Sequence, residues 1–524
     1  MTPRRSLLAL AALSALPMRA RAQAPQEIRI GLQTETSSID PHFALVGANQ
    51  TIAMHIFDPL IGSDANMRPT AGLTSFTQSA PDAWDFTIRP GATFHDGTPV
   101  TAEDIAFSLE RMPKVPGSPA PFIRLASATA SMEIIDSTTI RLRTRGPDPS
   151  LPLNAMTAYI ISKKAALTAT TADFNAGRAT IGSGPWRFVS WQPGAELRLQ
   201  RNDAWWGTKP AFPRATLRPI ANDAARLTAL LAGDVDLIDA VPPNEIPRLT
   251  ARTDTRIAQS PSSRFIYIAL DQANDVSPFV TAKDGSPLTK NPLRDPRVRK
   301  ALTFAINRDL IVARILNGAA TPAGQLVQKG FLGYDPEITP PAFDPERAKR
   351  LLTDAGYPDG FRITLHSPNN RYVEDDKTAQ AVGQMWARIG IDARVEVMPS
   401  NVFFTRSGKR EFSAFLIGFG STSGDAYPGL SQVLMTYNAT RGIGGLNRAR
   451  YSNMAFDALM EQARTETGEL RADLLRKAQG VAFTDDAAIL PLHFPNNTWA
   501  TRAGFAYQPA MEEATLAHHL TPAG

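Results

Sequence analysis

Capped helices alternate with strands between about residues 290 and 420, and this alternation constrains the fold more than any other feature of the sequence. Asp295-Pro296 and Asp344-Pro345 each place a helix-capping aspartate before a proline at the first helical position. Strand-like segments follow these helices at 362–366, 393–397 and 412–418. A regular alternation of this kind predicts an α/β domain.

The start and stop signals around these helices are clear. The helix that begins at Pro296 is predicted to run to Gly318, with one apolar face made of Val298, Leu302, Ala305, Ile306, Leu310 and Ala313. Gly356 closes the helix that begins at Pro345, and Thr101 with Asp104 forms a capping box further upstream. Other helical patterns lie at 376–389, 452–466 and 469–484. Other strand patterns lie at 27–32, 83–89, 139–143, 196–200 and 264–270.

The chain has 524 residues, which is too many for one ordinary core and predicts two or three domains. Apolar residues make up 43% and charged residues 20%, so disorder along the whole chain is excluded. There is no cysteine, which excludes disulfide scaffolds, thiolate metal sites, iron–sulfur clusters and cysteine nucleophiles.

The first 22 residues are predicted to be a secretory signal peptide. Arg4-Arg5 precedes an apolar stretch from Leu7 to Met18, and the small residues of Ala20-Arg21-Ala22 supply a cleavage site. The arginine pair is compatible with twin-arginine export as well as with the general secretory route. No lipid-anchor cysteine follows, so the mature chain is expected to be free in the periplasm.

A sequence pI near 9.4 would favour a nucleic acid or an anionic membrane as partner. Residues 1–22 carry four arginines and no acid, so their removal lowers the formal charge from +5 to about +1. The remaining basic residues are scattered among acids, whereas a nucleic-acid footprint needs clustering. The sequence therefore predicts no nucleic-acid partner.

Local enzyme signatures are missing. Gly424 and Gly429 have the spacing of a phosphate-binding loop, but Leu430 replaces its lysine. There is no Gly-x-Ser-x-Gly elbow and no His-Glu-x-x-His. The seven histidines include no helical i, i+4 pair for a metal. The sequence thus predicts no catalytic residues, no cofactor and no resident metal.

Segments along nearly the whole mature chain resemble the peptide/nickel family, family 5, of ABC-transporter solute-binding proteins, which includes the dipeptide- and oligopeptide-binding members. These segments are FDPLI at 57–61, WDFTIRPGATFHDGTPVTAED at 84–104, GSGPW at 182–186, LAGDVD at 231–236, PRVRKA at 296–301, DPERA at 344–348 with AGY at 355–357, and ILPL at 489–492. They occur in the order that the family has.

The resemblance implies an α/β, two-lobed periplasmic binding protein of type II with an extra subdomain inserted in lobe 1. Lobe 1 is expected at 25–66, 181–268 and 485–524, the insertion at 67–180, and lobe 2 at 269–484. The ligand would bind in the cleft, and contacts made only in the closed state would drive closure about a two-strand hinge.

Several family motifs also have a structural interpretation. Residues 94–98 are predicted to form a tight turn in which Gly97 supplies a positive φ and His95 is a turn residue. Residues 182–185 are interpreted as a bend where the chain crosses between lobes. Gly233 is interpreted as a helix C-cap.

Arg371 and Tyr372 lie in the loop that follows strand 362–366, and such loops hold ligands in open α/β sheets. In dipeptide-binding members an arginine near this position holds the ligand carboxylate, and a bidentate guanidinium suits that role. The alternative is a surface arginine that pairs with Glu374 or Asp375.

The second predicted ligand loop follows strand 412–418 and contributes five residues: Phe419, Ser421, Thr422, Asp425 and Tyr427. Peptide-binding members have Trp-x-x-Asp here, with the aspartate pairing with the peptide ammonium. Phe419 falls at the tryptophan and Thr422 at the aspartate, and a hydroxyl cannot supply the missing charge. Asp425 could substitute, its alternative role being to cap its own loop.

Together these features favour the solute-binding component of an ABC importer, a monomer that delivers a peptide or similar small organic solute to a membrane permease and catalyses nothing. The alternatives are a nickel or metal-chelate receptor with His42, His55 or His493 at the cleft, an opine or oligosaccharide receptor, and a periplasmic hydrolase.

Overall fold

The protein is described here by a computed structural model that covers residues 26–119 and 123–524. The predicted signal peptide lies outside the described residues. No helix within the described ranges is long and apolar enough to cross a membrane.

The strands and helices are numbered in chain order. The strands are β1 (Glu27–Leu32), β2 (Gly62–Ser63), β3 (Pro69–Thr70), β4 (Thr74–Ala80), β5 (Ala83–Ile88), β6 (Thr129–Ile134), β7 (Thr139–Thr144), β8 (Trp186–Gln192), β9 (Glu196–Arg201), β10 (Arg214–Pro219), β11 (Leu237–Ile238), β12 (Thr255–Pro261), β13 (Arg264–Leu270), β14 (Val280–Thr281), β15 (Ala320–Pro322), β16 (Arg362–Pro368), β17 (Asp392–Met398), β18 (Ala414–Gly420), β19 (Leu490–Arg502), β20 (Phe505–Tyr507) and β21 (Leu520–Pro522). The α-helices are α1 (Gly47–Ile56), α2 (Ala102–Arg111), α3 (Ile123–Ala128), α4 (Leu151–Ala155), α5 (Lys163–Ala166), α6 (Thr171–Asn175), α7 (Asp223–Ala232), α8 (Ile246–Thr250), α9 (Pro296–Phe304), α10 (Arg308–Arg314), α11 (Pro345–Asp354), α12 (Asp375–Ala387), α13 (Ser400–Gly408), α14 (Ala426–Val433), α15 (Met454–Thr465) and α16 (Gly468–Gln479).

The first lobe is built on a mixed sheet around β1. β1 runs parallel to β10 on one side and to β11 on the other, and β9 and β8 extend the sheet in antiparallel fashion. Ile28 and Ile30 are fully buried in its core, as expected for a strand covered by helices.

The second lobe has one sheet with a core on each face. β16 runs parallel to β17 and β18, and β13 pairs antiparallel with β18. Along β13, Phe265 and Tyr267 point into one core while Ile266 and Ile268 point into the other. This is the period of two that a strand buried on both faces requires.

The long strand β19 joins the two sheets. Its first half pairs with β13, where Ile266 lies opposite His493, and its second half pairs with β12 and β11. Between β12 and β13, the Ser262 N–H donates to the Pro495 carbonyl (2.9 Å). The chain therefore crosses between the two sheets at Ser262–Ser263 and in the middle of β19. The two-strand hinge stays a prediction, and we call these two crossings the hinge.

A separate four-stranded antiparallel sheet has the order β4-β5-β7-β6 and its own apolar core, against which α2 packs. The predicted capping box of α2 is confirmed: Asp104 Oδ2 accepts from the Thr101 N–H (2.9 Å), and Thr101 Oγ1 accepts from the Asp104 N–H (3.4 Å).

The predicted domain bounds stay predictions. The structure places β13 in the second sheet from Arg264 onward, before the bound expected at 268.

Two local predictions are wrong. The predicted helix 296–318 is two helices, α9 and α10, because Asn307 caps the second one by accepting a hydrogen bond from the Leu310 N–H (2.9 Å). The break shifts the helical phase, so Leu310 is 41% exposed rather than on the apolar face.

The second error concerns residues 182–185, which do not cross between the lobes. The Gly184 N–H donates to the Ile56 carbonyl (3.0 Å), and a Cβ on Gly182 would lie 1.9 Å from that same oxygen. His95 accepts from the Gly182 N–H (3.3 Å) in the turn predicted at 94–98, where Gly97 has φ +85°. The glycines are needed for this close approach between the subdomain and the first lobe. Gly233 caps α7 as predicted.

Candidate functional site

The two lobes touch across the second predicted ligand loop, so the conformation is closed there. The Gly424 N–H donates to the Met67 carbonyl (2.7 Å), and a Cβ on Gly424 would lie 2.1 Å from the Asn66 carbonyl oxygen. Met67, at the tip of the β2–β3 turn, is only 5% exposed because its side chain belongs to the core of the second lobe. The cleft is therefore bounded by this turn, the loop 421–425 and the hinge.

Arg371 and Tyr372 lie where β16 ends and α12 begins. The Asp375 carboxylate accepts from the backbone N–H groups of both residues (3.0 Å each), which fixes the loop. Burial raises the pKa of Asp375 in spite of these hydrogen bonds. The conformation of this loop is thus fixed by Asp375, the first residue of α12, whose carboxylate bonds to the backbone that precedes the helix.

The Arg371 guanidinium does not pair with either carboxylate that the sequence offered it. Glu374 contacts Lys377 (2.6 Å), and the oxygens of Asp375 accept backbone N–H groups. Arg371 is exposed, and its Cζ lies 5.1 Å from the centre of the Tyr372 ring. Within residues 26–119 and 123–524 no carboxylate lies at salt-bridge distance from it.

Arg264 and Glu513 complete this group of residues, which the sequence did not point to. Arg264 donates from Nε to Glu513 Oε1 (2.5 Å) and from Nη2 to Oε2 (2.7 Å), and its Cζ lies 5.8 Å from the Tyr372 ring. Burial opposes ionisation of Glu513, but Arg264 and then Arg371 outweigh it and lower its pKa. We call Arg264, Arg371, Tyr372 and Glu513 the hinge cluster.

Beside the hinge cluster lies Glu512, whose carboxylate has one hydrogen-bond donor among the described residues, the Ser63 hydroxyl (3.1 Å). Burial raises the pKa of Glu512. Tyr159, which is fully buried, lies within the electrostatic reach of this carboxylate, and its hydroxyl has no partner in the described part of the chain.

The predicted residues of the second loop are divided between different roles. Ser421 connects the loop to the hinge, because its N–H donates to the Ser263 carbonyl (3.3 Å). Its hydroxyl donates within the loop, to the Ser423 carbonyl (2.6 Å). Phe419 packs beside Gly429 against the core of the second lobe. Thr422 is exposed and faces the inserted subdomain, where it lines a small space with Leu45.

Asp425 and Tyr427 lie beside a buried arginine, and the predicted contact of Asp425 with a ligand amine stays a prediction. Asp425 Oδ1 accepts from the Tyr427 N–H (2.7 Å) as the N-cap of α14, and Oδ2 accepts from Arg471 Nε (3.2 Å) and Nη2 (3.1 Å). The side chains of Arg471 and Asp425 are only 4% and 8% exposed. The alternative that Asp425 caps its own loop is confirmed, and its carboxylate already has a cationic partner in Arg471.

Two of the histidines considered as nickel ligands are committed to hydrogen bonds. His42 Nε2 bonds with the Tyr159 carbonyl (2.7 Å), and His55 bonds with the Thr51 carbonyl (2.7 Å) and the Ala517 N–H (2.9 Å). His493 is buried in β19 behind Tyr372. Among the described residues no three His, Cys, Asp or Glu side chains are grouped so as to hold a metal ion.

The residues that sequence reasoning missed are Arg264, Glu512, Glu513 and Ser63. Arg264 opens a strand that was predicted correctly, but nothing in the sequence shows that Glu513 returns to it from 249 positions away. The pair of acids at 512–513, in a tail that has no other Asp, Glu, Lys or Arg after Arg502, is the one signal that could have drawn attention to this segment.

Comparison with known proteins identifies the family. Residues 71–441 match the model of the bacterial extracellular solute-binding proteins, family 5. The chain belongs to this family. Its two-lobed α/β fold is that of the periplasmic binding proteins.

Relatives of this family 5 protein are solute-binding proteins. The glutathione-binding protein GsiB of Pectobacterium atrosepticum is 26% identical over 487 residues, which cover 91% of this chain and 90% of that protein. The periplasmic binding protein DppA of Helicobacter pylori, solved with the peptide STSA, matches with a TM-score of 0.76, 24% identity and coverage of 95% and 98% of the two chains. The dipeptide-binding protein of Pseudoalteromonas sp. SM9913, solved with Met-Leu, matches with a TM-score of 0.76 and 20% identity. The match covers 95% of this chain and 100% of that protein.

Proposed function

We propose that the mature chain is the periplasmic solute receptor of an ABC importer and captures a small peptide-like solute with a free carboxylate. The observation that carries this proposal is the Arg371 guanidinium, which lies beside Tyr372 and has no carboxylate of the described residues at salt-bridge distance. A planar fork with free donors is suited to a ligand carboxylate. The peptide and glutathione ligands named for the relatives have such a group.

The rest of the proposal concerns what happens to the bound solute. The lobes close on the solute about the hinge, a permease in the membrane reads the closed form, and the chain acts as a monomer without catalysis. Export by a signal peptide at 1–22 belongs to the same proposal. The nickel, opine and oligosaccharide alternatives remain, but no side-chain arrangement of the described residues favours them.

Isothermal titration of the mature protein tests the proposal with Met-Leu and glutathione as probes and maltotriose as the uncharged control. We expect saturable 1:1 binding of at least one peptide probe and a thermal stabilisation of about 2.7 kcal/mol at a ligand concentration near 100 Kd. Maltotriose should give neither effect. Binding of maltotriose without binding of either peptide probe would contradict the proposal.

Replacing Arg371 by alanine is expected to weaken binding of the responding peptide probe by about 10- to 150-fold, because a charge-assisted hydrogen bond to the ligand carboxylate is worth about 1.5–3 kcal/mol. Titration of each variant measures the loss. Arg394→Ala, an exposed arginine of β17 in the same lobe, is the matched control and should bind as the unmodified protein does.

The C-terminal amide of the same probe separates this role from a structural one. The amide should bind weakly to the unmodified protein and lose little further affinity in Arg371→Ala. Equal binding of acid and amide would place the ligand carboxylate away from Arg371.

A further inference from the structure

The segment Met511–Glu513 lies across the hinge, and its backbone is bonded to residues of both crossings. Asn497 Nδ2, on β19, donates to the carbonyls of residues 510, 511 and 512 (3.2, 3.1 and 3.0 Å). The Ser263 N–H donates to the Met511 carbonyl (3.2 Å). Both hinge crossings therefore hold this segment in place.

The two adjacent glutamates of this segment are in opposite electrostatic situations. Glu513 has a bidentate partner in Arg264 and a second cation, Arg371, nearby. Glu512 is half-buried and no Lys, Arg or His of the described ranges lies at salt-bridge distance from it. A carboxylate removed from water without a cationic partner is costly, and such groups persist where a ligand supplies the missing charge.

A second polar group of the first lobe also lacks a partner in the described part of the chain. Tyr159 is 0% exposed, and its hydroxyl has no hydrogen-bond partner there. The backbone of Tyr159 pairs with Pro59, shortly before Ser63, whose hydroxyl donates to Glu512 (3.1 Å). The Glu512 carboxylate thus keeps unused hydrogen-bonding capacity, and the Tyr159 hydroxyl in the interior of the same lobe is unpartnered among the described residues.

The second lobe offers no carboxylate for this purpose in its ligand loop. Asp425 is neutralised by Arg471, and Thr422 carries no charge. A ligand with a cationic group therefore has to find its counter-charge elsewhere at the cleft.

We propose that Glu512 receives the cationic group of the ligand, an ammonium, on the wall of the first lobe, while Arg371 holds the ligand carboxylate on the wall of the second. This inference rests on the proposed function and narrows it to zwitterionic peptide-like solutes. Because the two charges of one ligand engage opposite lobes, both contacts are complete only when the cleft is closed.

Titration of Glu512→Gln with Met-Leu, glutathione and the N-acetyl derivative of each tests the proposal. Glu512→Gln should weaken the free-amine probe by about 10-fold or more, since a hydrogen bond between charged groups is lost. The N-acetyl derivative should bind the unmodified protein weakly, and Glu512→Gln should not weaken it further. Glu469→Gln, an exposed glutamate of α16, is the matched control and should change neither.

The outcomes are distinguishable. If the peptide probes bind and Glu512→Gln leaves the free-amine probe unaffected, the role of Glu512 is overturned and the proposed function stands. If no peptide probe binds the unmodified protein, the proposed function fails and this inference fails with it. Circular dichroism checks that Glu512→Gln folds. Glu512→Asp, which keeps the charge, should retain more of the free-amine affinity than Glu512→Gln does, and equal losses in the two variants would also overturn the proposal.

Discussion

Replacing Asp425 by alanine is expected to lower the free energy of unfolding by about 3–5 kcal/mol, because the Arg471 guanidinium would be left buried without its carboxylate. Arg471 would keep only neutral acceptors, the Ala463 carbonyl and the Ser150 hydroxyl. The helix α14 would lose its N-cap as well. Urea unfolding followed by circular dichroism measures the change.

Asp473→Ala is the matched control because Asp473 pairs with Lys477 (2.7 Å) on the surface of α16, the helix that also carries Arg471. That change should cost less than about 1 kcal/mol, since water screens the exposed pair. The double variant Asp425→Ala/Arg471→Met should recover part of the loss, because it removes the buried charge too. A stable Asp425→Ala protein with weakened ligand binding would restore Asp425 as a ligand contact.

The protein is also expected to lose stability steeply as the pH falls below about 6.5. The histidines lie inside the protein, and desolvation on burial lowers the pKa of every one of the seven: His42, His55, His95, His366, His493, His518 and His519. The pKa falls to about 4 for His42, His55 and His95 and to about 3 for His493.

The sign follows from proton binding by the two states. Below about pH 6.5 the unfolded chain binds protons on its histidines while the folded protein does not, so each further drop in pH favours unfolding until the folded pKa is reached. Five buried acids act in the opposite direction: burial raises the pKa of Asp58 and of Asp239 to about 6, and it also raises the pKa of Asp148, Asp375 and Glu512. The folded state therefore binds extra protons on these acids as the pH falls. The histidines outnumber these acids, so we expect a net loss of stability between about pH 6.5 and 4.5.

Urea midpoints measured at several pH values between about 7 and 4.5 give this slope. His493→Leu should reduce the slope by about one proton, because it removes one group that only the unfolded state protonates. Asp58→Asn, which keeps the shape and one of the two oxygens that accept from the Trp205 and Trp206 indoles, should steepen the slope between about pH 6 and 4. Midpoints that do not change over this range would contradict the burial of neutral histidines.

Local features were the most predictable part of the fold. The N-caps of α2, α9 and α11 lie where the sequence placed them, because each depends on a side chain that bonds to backbone two or three residues away. The break between α9 and α10 was missed because the apolar spacing continues on both sides of Asn307, as it would in one unbroken helix. Only the packing of the neighbouring helices decides between one helix and two helices separated by a cap.

The candidate site was less predictable. The loop of Arg371 was correctly placed after a strand, but which charges surround Arg371 depends on a C-terminal segment that returns to the hinge. Asp425 was assigned a possible contact with ligand because Arg471, which neutralises it, lies 46 positions further along the chain.

The sequence by itself determined the family, the α/β fold class and the helix and strand positions, because periodicity and capping are short-range and the family motifs are contiguous. The tertiary structure alone decided which charged groups are satisfied. Arg471 neutralises Asp425 and Arg264 neutralises Glu513, whereas neither Glu512 nor Arg371 has an oppositely charged side chain at salt-bridge distance among the described residues. Pairing between charges depends on distances of a few ångströms between distant parts of the chain, and only the folded backbone sets those distances.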